Sequence, residues 1–169
     1  YFREMYLPQL TTGPAALAFM PDSRTLIYSM QGSLWRQALD STTAEQLTAG
    51  PGYDYQPDVS PDGDRVVFAR YDGKAVELQI LDLESGTVRA LTTGGAVNLE
   101  PRWSPDGQRI AYVSTARNGR FDVFVGRPGE NDFQSAPLLD ERKSETARYY
   151  YSEFDHSLSP AWTPDGKGI

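Results

Sequence analysis

The residues of this chain best equipped for chemistry are carboxylates, hydroxyls and one imidazole. Asp54, Glu100 and Asp155 fall in the segments that enter successive sequence repeats, and His156 follows Asp155 directly. Carboxylates gathered on one rim by a repeating fold could converge on a cation or on a basic peptide group. The competing reading is that they are solvated loop charges or bond the local backbone. Tyr53 adjoins Asp54, and Tyr149, Tyr150 and Tyr151 form the densest aromatic cluster. Tyrosine offers a large contact area at low entropy cost and suits a recognition surface. Three tyrosines can equally pack an insertion down onto its own unit.

The same residue types exclude much. The chain has no Cys and a single His. Disulfides, thiolate metal sites and Cys nucleophiles are therefore absent, and any Ser/His/Asp triad or multi-histidine metal centre would have to be built around His156 alone. No cofactor and no bound metal are expected. With 16 Lys+Arg against 23 Asp+Glu the formal net charge is -7, which disfavours nucleic acid, whose binding rests on clustered cations. No apolar run approaches the roughly 18 residues of a membrane helix. The first residue is Tyr1, which leaves a leader sequence unreadable.

What would position these side chains is a repeat. A Pro-Asp tetrad recurs as Met20-Pro21-Asp22-Ser23, Ser60-Pro61-Asp62-Gly63, Ser104-Pro105-Asp106-Gly107 and Thr163-Pro164-Asp165-Gly166. Its aspartates are 40, 44 and 59 residues apart; the first two spacings are the length of a four-stranded propeller blade, and the third is that unit with an insertion of about 15 residues. A second landmark keeps step: Leu10-Thr11-Thr12-Gly13, Leu47-Thr48-Ala49-Gly50 and Leu91-Thr92-Thr93-Gly94. Between them, the apolar run Arg65 to Arg70 reads as a buried strand, and Val76, Leu78 and Ile80 alternate with Glu77 and Gln79 as a strand with one wetter face. Each repeat supplies four strands: one before the tetrad, one after it, one in the middle and one ending at Leu-Thr. The 15 Gly and 12 Pro suit a protein of many turns. In the tetrad, Pro presets φ, Asp bonds its own backbone and Gly takes the left-handed conformation of a tight hairpin. Its Asp and Ser residues are thus turn builders, and Ser23 occupies a glycine position at a cost of about 1 kcal/mol if φ is positive.

The run Pro101-Arg102-Trp103-Ser104-Pro105-Asp106-Gly107-Gln108-Arg109-Ile110, together with the Leu-Thr-x-Gly ending, resembles the repeat of TolB-like β-propellers from Leu10 to Ile169. Val59 stands in place of its Trp, and Phe19-Met20 in place of Trp-Ser. The resemblance implies an all-β propeller fragment of three four-stranded blades plus the start of a fourth. The expected layout is an orphan outer strand 5–11, blades at 14–48, 53–92 and 98–139, an insertion 140–157, and a fourth blade opening at 158–169. It further implies a non-catalytic scaffold or protein/peptide-interaction module from a larger bacterial protein, periplasmic or exported. The alternative is the N-terminal propeller of an amidohydrolase or prolyl-oligopeptidase-type hydrolase, the segment 147–152 with Asp155-His156 looking most like the amidohydrolase-associated group. The expected ligand site joins Tyr53, Asp54, Glu100, Tyr149, Tyr150, Tyr151, Asp155 and His156, on loops that enter the innermost strands.

Two packing expectations follow from the blade layout. Trp103 and Trp162 should be largely buried beside their tetrads. Three blades and a stub cannot close a ring, so the apolar flank around Phe19 and Leu34 and the edge near Trp162 should be open, inviting a homodimer that pools blades.

Overall fold

The computed structural model describes residues 13–117, 119, 121–129, 132–138 and 159–169. The expected outer strand 5–11 and insertion 140–157 lie outside them. Twelve strands form three antiparallel four-stranded sheets, each a meander in chain order. Blade one holds β1 (Ala16–Phe19), β2 (Thr25–Met30), β3 (Ser33–Ala38) and β4 (Glu45–Gln46). Blade two holds β5 (Tyr53–Val59), β6 (Arg65–Tyr71), β7 (Val76–Asp82) and β8 (Val88–Ala90). Blade three holds β9 (Asn98–Trp103), β10 (Ile110–Ser114), β11 (Asp122–Pro128) and β12 (Phe133–Pro137). In each, the Pro-Asp tetrad joins the first strand to the second.

The clasp explains why these residues recur. In blade two Ser60 Oγ donates to Asp62 Oδ1 at 2.5 Å and accepts from Arg65 N at 2.9 Å, while Asp62 Oδ1 also accepts from Asp64 N at 3.1 Å. Blade three repeats it with Ser104, Asp106, Gln108 and Arg109. Residues 159–169 form the same turn without a ladder, Thr163 Oγ1 donating to Asp165 Oδ1 at 2.6 Å and accepting from Gly168 N at 2.9 Å. Gly63, Gly107 and Gly166 all have positive φ, and Ser23 takes φ 54 in their place. These hydrogen bonds hold the carboxyls of Asp22, Asp62, Asp106 and Asp165 below the usual carboxylate range.

The Leu-Thr landmark has an equally local cause. Leu91 N and Thr92 N both donate to Leu78 O, and Thr92 Oγ1 accepts from Leu78 N at 2.9 Å, so one dipeptide fastens the outer strand to the third. Leu47 and Thr48 do the same to Leu34. In blade three Leu138 N donates to Val123 O, without a threonine to follow.

Apolar cores lie between blades. Ile27 and Leu34 of blade one pack with Val66, Phe68 and Leu81 of blade two. Val67, Leu78 and Ile80 pack with Leu99, Trp103, Ile110 and Tyr112 across the next seam. Strand alternation gives each sheet two apolar faces, one toward each neighbour. Leu34 is therefore on the covered face of blade one and is fully buried, contrary to the expectation that it lines an open flank. Phe19 lies on the open flank as expected, 54% exposed, and its neighbour there is Leu17, 56% exposed. Of their counterparts, Pro57, Pro101 and Trp103 are buried, Trp103 among residues of blade two, and Val59 is half-buried. Trp103 is buried as expected but Trp162 is only half-buried, because no described strand backs it as β10 backs Trp103.

Candidate functional site

The inner strands β5 and β9 carry the described side chains that sequence pointed to, but in a different setting. Tyr53, Asp54 and Glu100 lie within β5 and β9, not in loops leading to them. Both strands slip register midway, between Tyr55 and Asp58 and opposite Ala111 and Val113. At the slip Gln56 and Glu100 adopt φ 52, each just before a proline. The left-handed residue breaks the ladder and turns its side chain out of the alternation, as bulges do.

These bulges join the blades. Gln56 Nε2 donates to Glu100 Oε1 at 2.5 Å, and Glu100 N donates to Gln56 Oε1 at 3.0 Å. Glu100 Oε2 then accepts from Arg102 Nη2 at 2.8 Å and from Ser159 Oγ at 3.1 Å. Gln56, Glu100 and Ser159 all precede the proline of their repeat, so one position in three successive repeats makes a continuous polar belt. Two residues after Gln56, Asp58 Oδ2 accepts from Trp103 N at 2.7 Å. Burial between the inner strands pushes the Asp58 carboxyl up to about 6, against the opposing pull of the Trp103 N–H and the Arg102 guanidinium. Burial, with the negative charge of Glu100, also raises the Tyr55 hydroxyl.

Asp54 has a separate environment. Its side chain is 3% exposed and takes Arg70 in two hydrogen bonds, Nε to Oδ1 at 2.6 Å and Nη2 to Oδ2 at 2.8 Å. The same cross-strand position in blade three is a neutral pair, Ser114 Oγ donating to Asn98 Oδ1 at 2.7 Å. Asn98 Nδ2 in turn donates to Val76 O and to Glu77 Oε2, and Glu77 accepts from Thr92 Oγ1 and Gly95 N, so this carboxylate knots the loop between blades two and three. Tyr53 stands edge-on to Tyr55, with ring centres 6.3 Å apart.

Of the expected site, then, Tyr53, Asp54 and Glu100 occupy one pair of inner strands, with Asp54 engaged within its blade and Glu100 engaged between blades. Tyr149, Tyr150, Tyr151, Asp155 and His156 lie outside the described residues. Sequence reading passed over Asp58, Arg102 and Ser159; the signal was present in the aligned Gln56-Pro57, Glu100-Pro101 and Ser159-Pro160. Among the described residues no group of three His, Cys, Asp or Glu side chains is placed to hold a metal ion. Nor is any described helix long and apolar enough to cross a membrane.

Comparison with known proteins gives the same architecture. The chain is similar to TolB from Acinetobacter baumannii, with a TM-score of 0.66 and 22% identity over 77% of this chain and 33% of that one. A protein from Agrobacterium tumefaciens assigned as TolB gives 0.60 and 21% identity, covering 70% of this chain and 47% of that one. A prolyl endopeptidase structure gives 0.55 and 16%, over 73% of this chain and 21% of that one. An uncharacterized protein from Agrobacterium fabrum is 34% identical over 78 residues, 39% of this chain and 27% of the relative. The chain thus spans well under half the length of most of these proteins. The TolB beta propeller domain model matches residues 15–148, and the chain belongs to that family.

Proposed function

We propose that this chain is a non-catalytic scaffold and protein- or peptide-interaction module, part of a larger exported bacterial protein. The observation that supports this reading most is how the reactive-looking side chains are used. Ser60 and Ser104 each donate to a clasp carboxylate and accept a backbone N–H. A serine so tied is buried, and its aspartate, held below the usual carboxylate range by turn hydrogen bonds, is too weak a base to activate it. The chemistry of the repeat is spent on shape, which leaves recognition by the faces of the propeller.

A second reading is favoured by the likeness to the prolyl endopeptidase fold: a propeller that shapes access to a hydrolase domain. Its discriminating observation is the coding sequence beyond Ile169. For the chain itself the test is an assay of peptide and amide hydrolysis by the wild type and His156→Ala. The proposal expects no turnover by either protein. Turnover lost in the variant would overturn it and make the segment carrying His156 catalytic.

A further inference from the structure

Four side chains of blade two reach across to blade three. Gln56 exchanges two hydrogen bonds with Glu100, and Asp58 Oδ2 accepts from Trp103 N. Arg65 Nη2 donates to Gly107 O at 3.5 Å, with the guanidinium 4.7 Å from the Trp103 ring centre, and Arg89 Nη2 donates to Gly129 O at 2.6 Å. Counted from the clasp and along the ladders, blade one holds Ala16, Ala18, Thr25 and Glu45 at those four places. Among the described residues, none of the four bonds to blade two. The alanines have no polar side-chain atom to offer, Thr25 Oγ1 donates back to Asp22 Oδ2 of its own clasp at 2.7 Å, and Glu45 accepts from Arg36 of its own sheet.

The reverse direction is equally bare. Asn98, at the head of blade three, donates to Val76 O and Glu77 Oε2 of blade two. Asp54, its counterpart at the head of blade two, turns both carboxylate oxygens to Arg70 of its own sheet. Among the described residues a single hydrogen bond joins blades one and two, from Asp54 N to Gly32 O at 3.0 Å. The apolar core there is smaller too, five buried residues against the thirteen of the cluster that joins blades two and three. Arg36, partly exposed, stands where Ile80 is buried in the next seam. A clasp glycine sits against the preceding clasp proline in every case, Gly63 on Pro21, Gly107 on Pro61 and Gly166 on Pro105, so that contact does not set one seam apart.

We propose that the seam between blades one and two is where the molecule opens: blade one parts from blade two as a unit, while blades two and three remain one body. Apolar contact is non-directional and resists separation in proportion to the area it buries, whereas each polar link across a seam adds the cost of leaving its donor or acceptor unpaired. The element with the fewest of both is the one that opens below the free energy of global unfolding. Opening uncovers Ile27 and Leu34 on one wall and Val66, Phe68 and Leu81 on the other, an apolar cleft that the closed form lacks. This device goes beyond the interaction-module reading and does not depend on it.

Leu34 and Leu78 make a matched pair of reporters. Both are fully buried, each amide donates to the Oγ1 of its landmark threonine at 2.9 Å, and each carbonyl accepts from the Leu-Thr amides that follow. The test is amide hydrogen exchange by NMR on the full chain, at a concentration where it sediments as a monomer. Leu34 should have a protection factor lower than that of Leu78 by about tenfold or more, and the amides of Ile27, Ser29 and Leu34 should share one opening as urea is raised below the global transition. Arg36→Ile gives blade one the residue type that blade two uses and should raise the protection of Leu34 by about threefold or more, leaving Leu78 unchanged. If that variant does not fold, paired spin labels on introduced cysteines decide, in a chain that has no others. The distance in Leu39→Cys with Glu84→Cys, between blades one and two, should broaden at lower urea than that in Glu84→Cys with Asp132→Cys, between blades two and three. A gap between Leu34 and Leu78 of less than about tenfold, unrelated openings for the three blade-one amides, an unmoved Leu34 in Arg36→Ile, or label pairs that broaden together overturns the opening seam.

Discussion

Arg65 in blade two and Trp103 in blade three face each other across a seam, guanidinium carbon 4.7 Å from ring centre, whereas between blades one and two Thr25 and Val59 hold the corresponding positions. The pair is a unit: the arginine covers a ring that would otherwise meet solvent, and the ring holds the arginine over the clasp of its neighbour. A partly exposed cation–π contact contributes about 0.5–1 kcal/mol. Arg65→Ala should therefore cost about 1 kcal/mol, whereas Trp103→Ala, at 6% exposure, should cost about 3–5 kcal/mol through the cavity it leaves. Urea denaturation of both single variants and the double variant gives the coupling. A coupling near zero would show that the two side chains merely adjoin.

Asp58 makes stability depend on pH in the opposite sense to the clasp aspartates. Its folded pKa, about 6, lies above the usual 3.8, so the native state binds the proton more tightly than the unfolded chain. The stability linked to that proton is fully present below about 3.8 and is lost as pH rises through about 6. Asp58→Asn keeps an acceptor for Trp103 N without the buried charge. It should be more stable than the wild type by about 2–3 kcal/mol at pH 7.5 and indistinguishable from it near pH 3.5. The clasp carboxyls, held low, contribute above their unfolded values and lose that contribution as pH falls. Thermal melts from pH 3.5 to 7.5 measure the difference; a constant gap between the two proteins would exclude Asp58 as its source.

The pair Asp54–Arg70 and the pair Asn98–Ser114 are two solutions to one cross-strand position. Removing only Asp54 strands a guanidinium beside a nearly buried site, and Asp54→Ala should cost about 2–4 kcal/mol, since breaking such a pair leaves a charge uncompensated. Asp54→Asn with Arg70→Ser transplants the blade-three pair and should recover most of that loss. Chemical denaturation decides. A double variant as unstable as Asp54→Ala would mean that the two blades are not interchangeable at this position.

The fold was legible in sequence because its determinants are local. Pro61, Asp62 and Gly63 build a turn within the six adjacent residues Ser60 to Arg65, and Leu91-Thr92 fastens a strand through bonds to one residue, Leu78. Neither needs knowledge of a neighbouring blade. What sequence misjudged depends on the neighbour. Leu34 was expected on an open flank because alternation says that two faces exist but not which one a blade covers. Glu100 reads as a loop carboxylate until the bulge, the φ of 52 and the amide of Gln56, 44 residues away, are in view. Trp162 holds the same place before a Pro-Asp-Gly clasp as Trp103, yet its burial depends on a strand that the motif does not contain.

The open flank carries the last prediction. The counterparts of Leu17, Pro57 and Pro101, are buried, and of the counterparts of Phe19 Trp103 is buried while Val59 is half-buried, so the later blades cover this face more than the first blade's is covered. A leading face on one copy can meet the trailing edge of another, and two such contacts close on themselves under a two-fold axis. Pooling three blades and the start of a fourth from each chain gives a ring within the 4 to 8 blades typical of closed propellers. The expected state of the isolated chain is therefore a homodimer, with an interface above the standard size of about 1,600 Å². Leu17→Glu and Phe19→Glu alter side chains already in solvent, so they should leave the monomer folded while placing buried charge in the dimer. Sedimentation velocity should show a dimer for the wild type and a monomer for the double variant, with unchanged circular dichroism. A wild type that sediments as a single monomeric species at micromolar concentration would exclude association through this face.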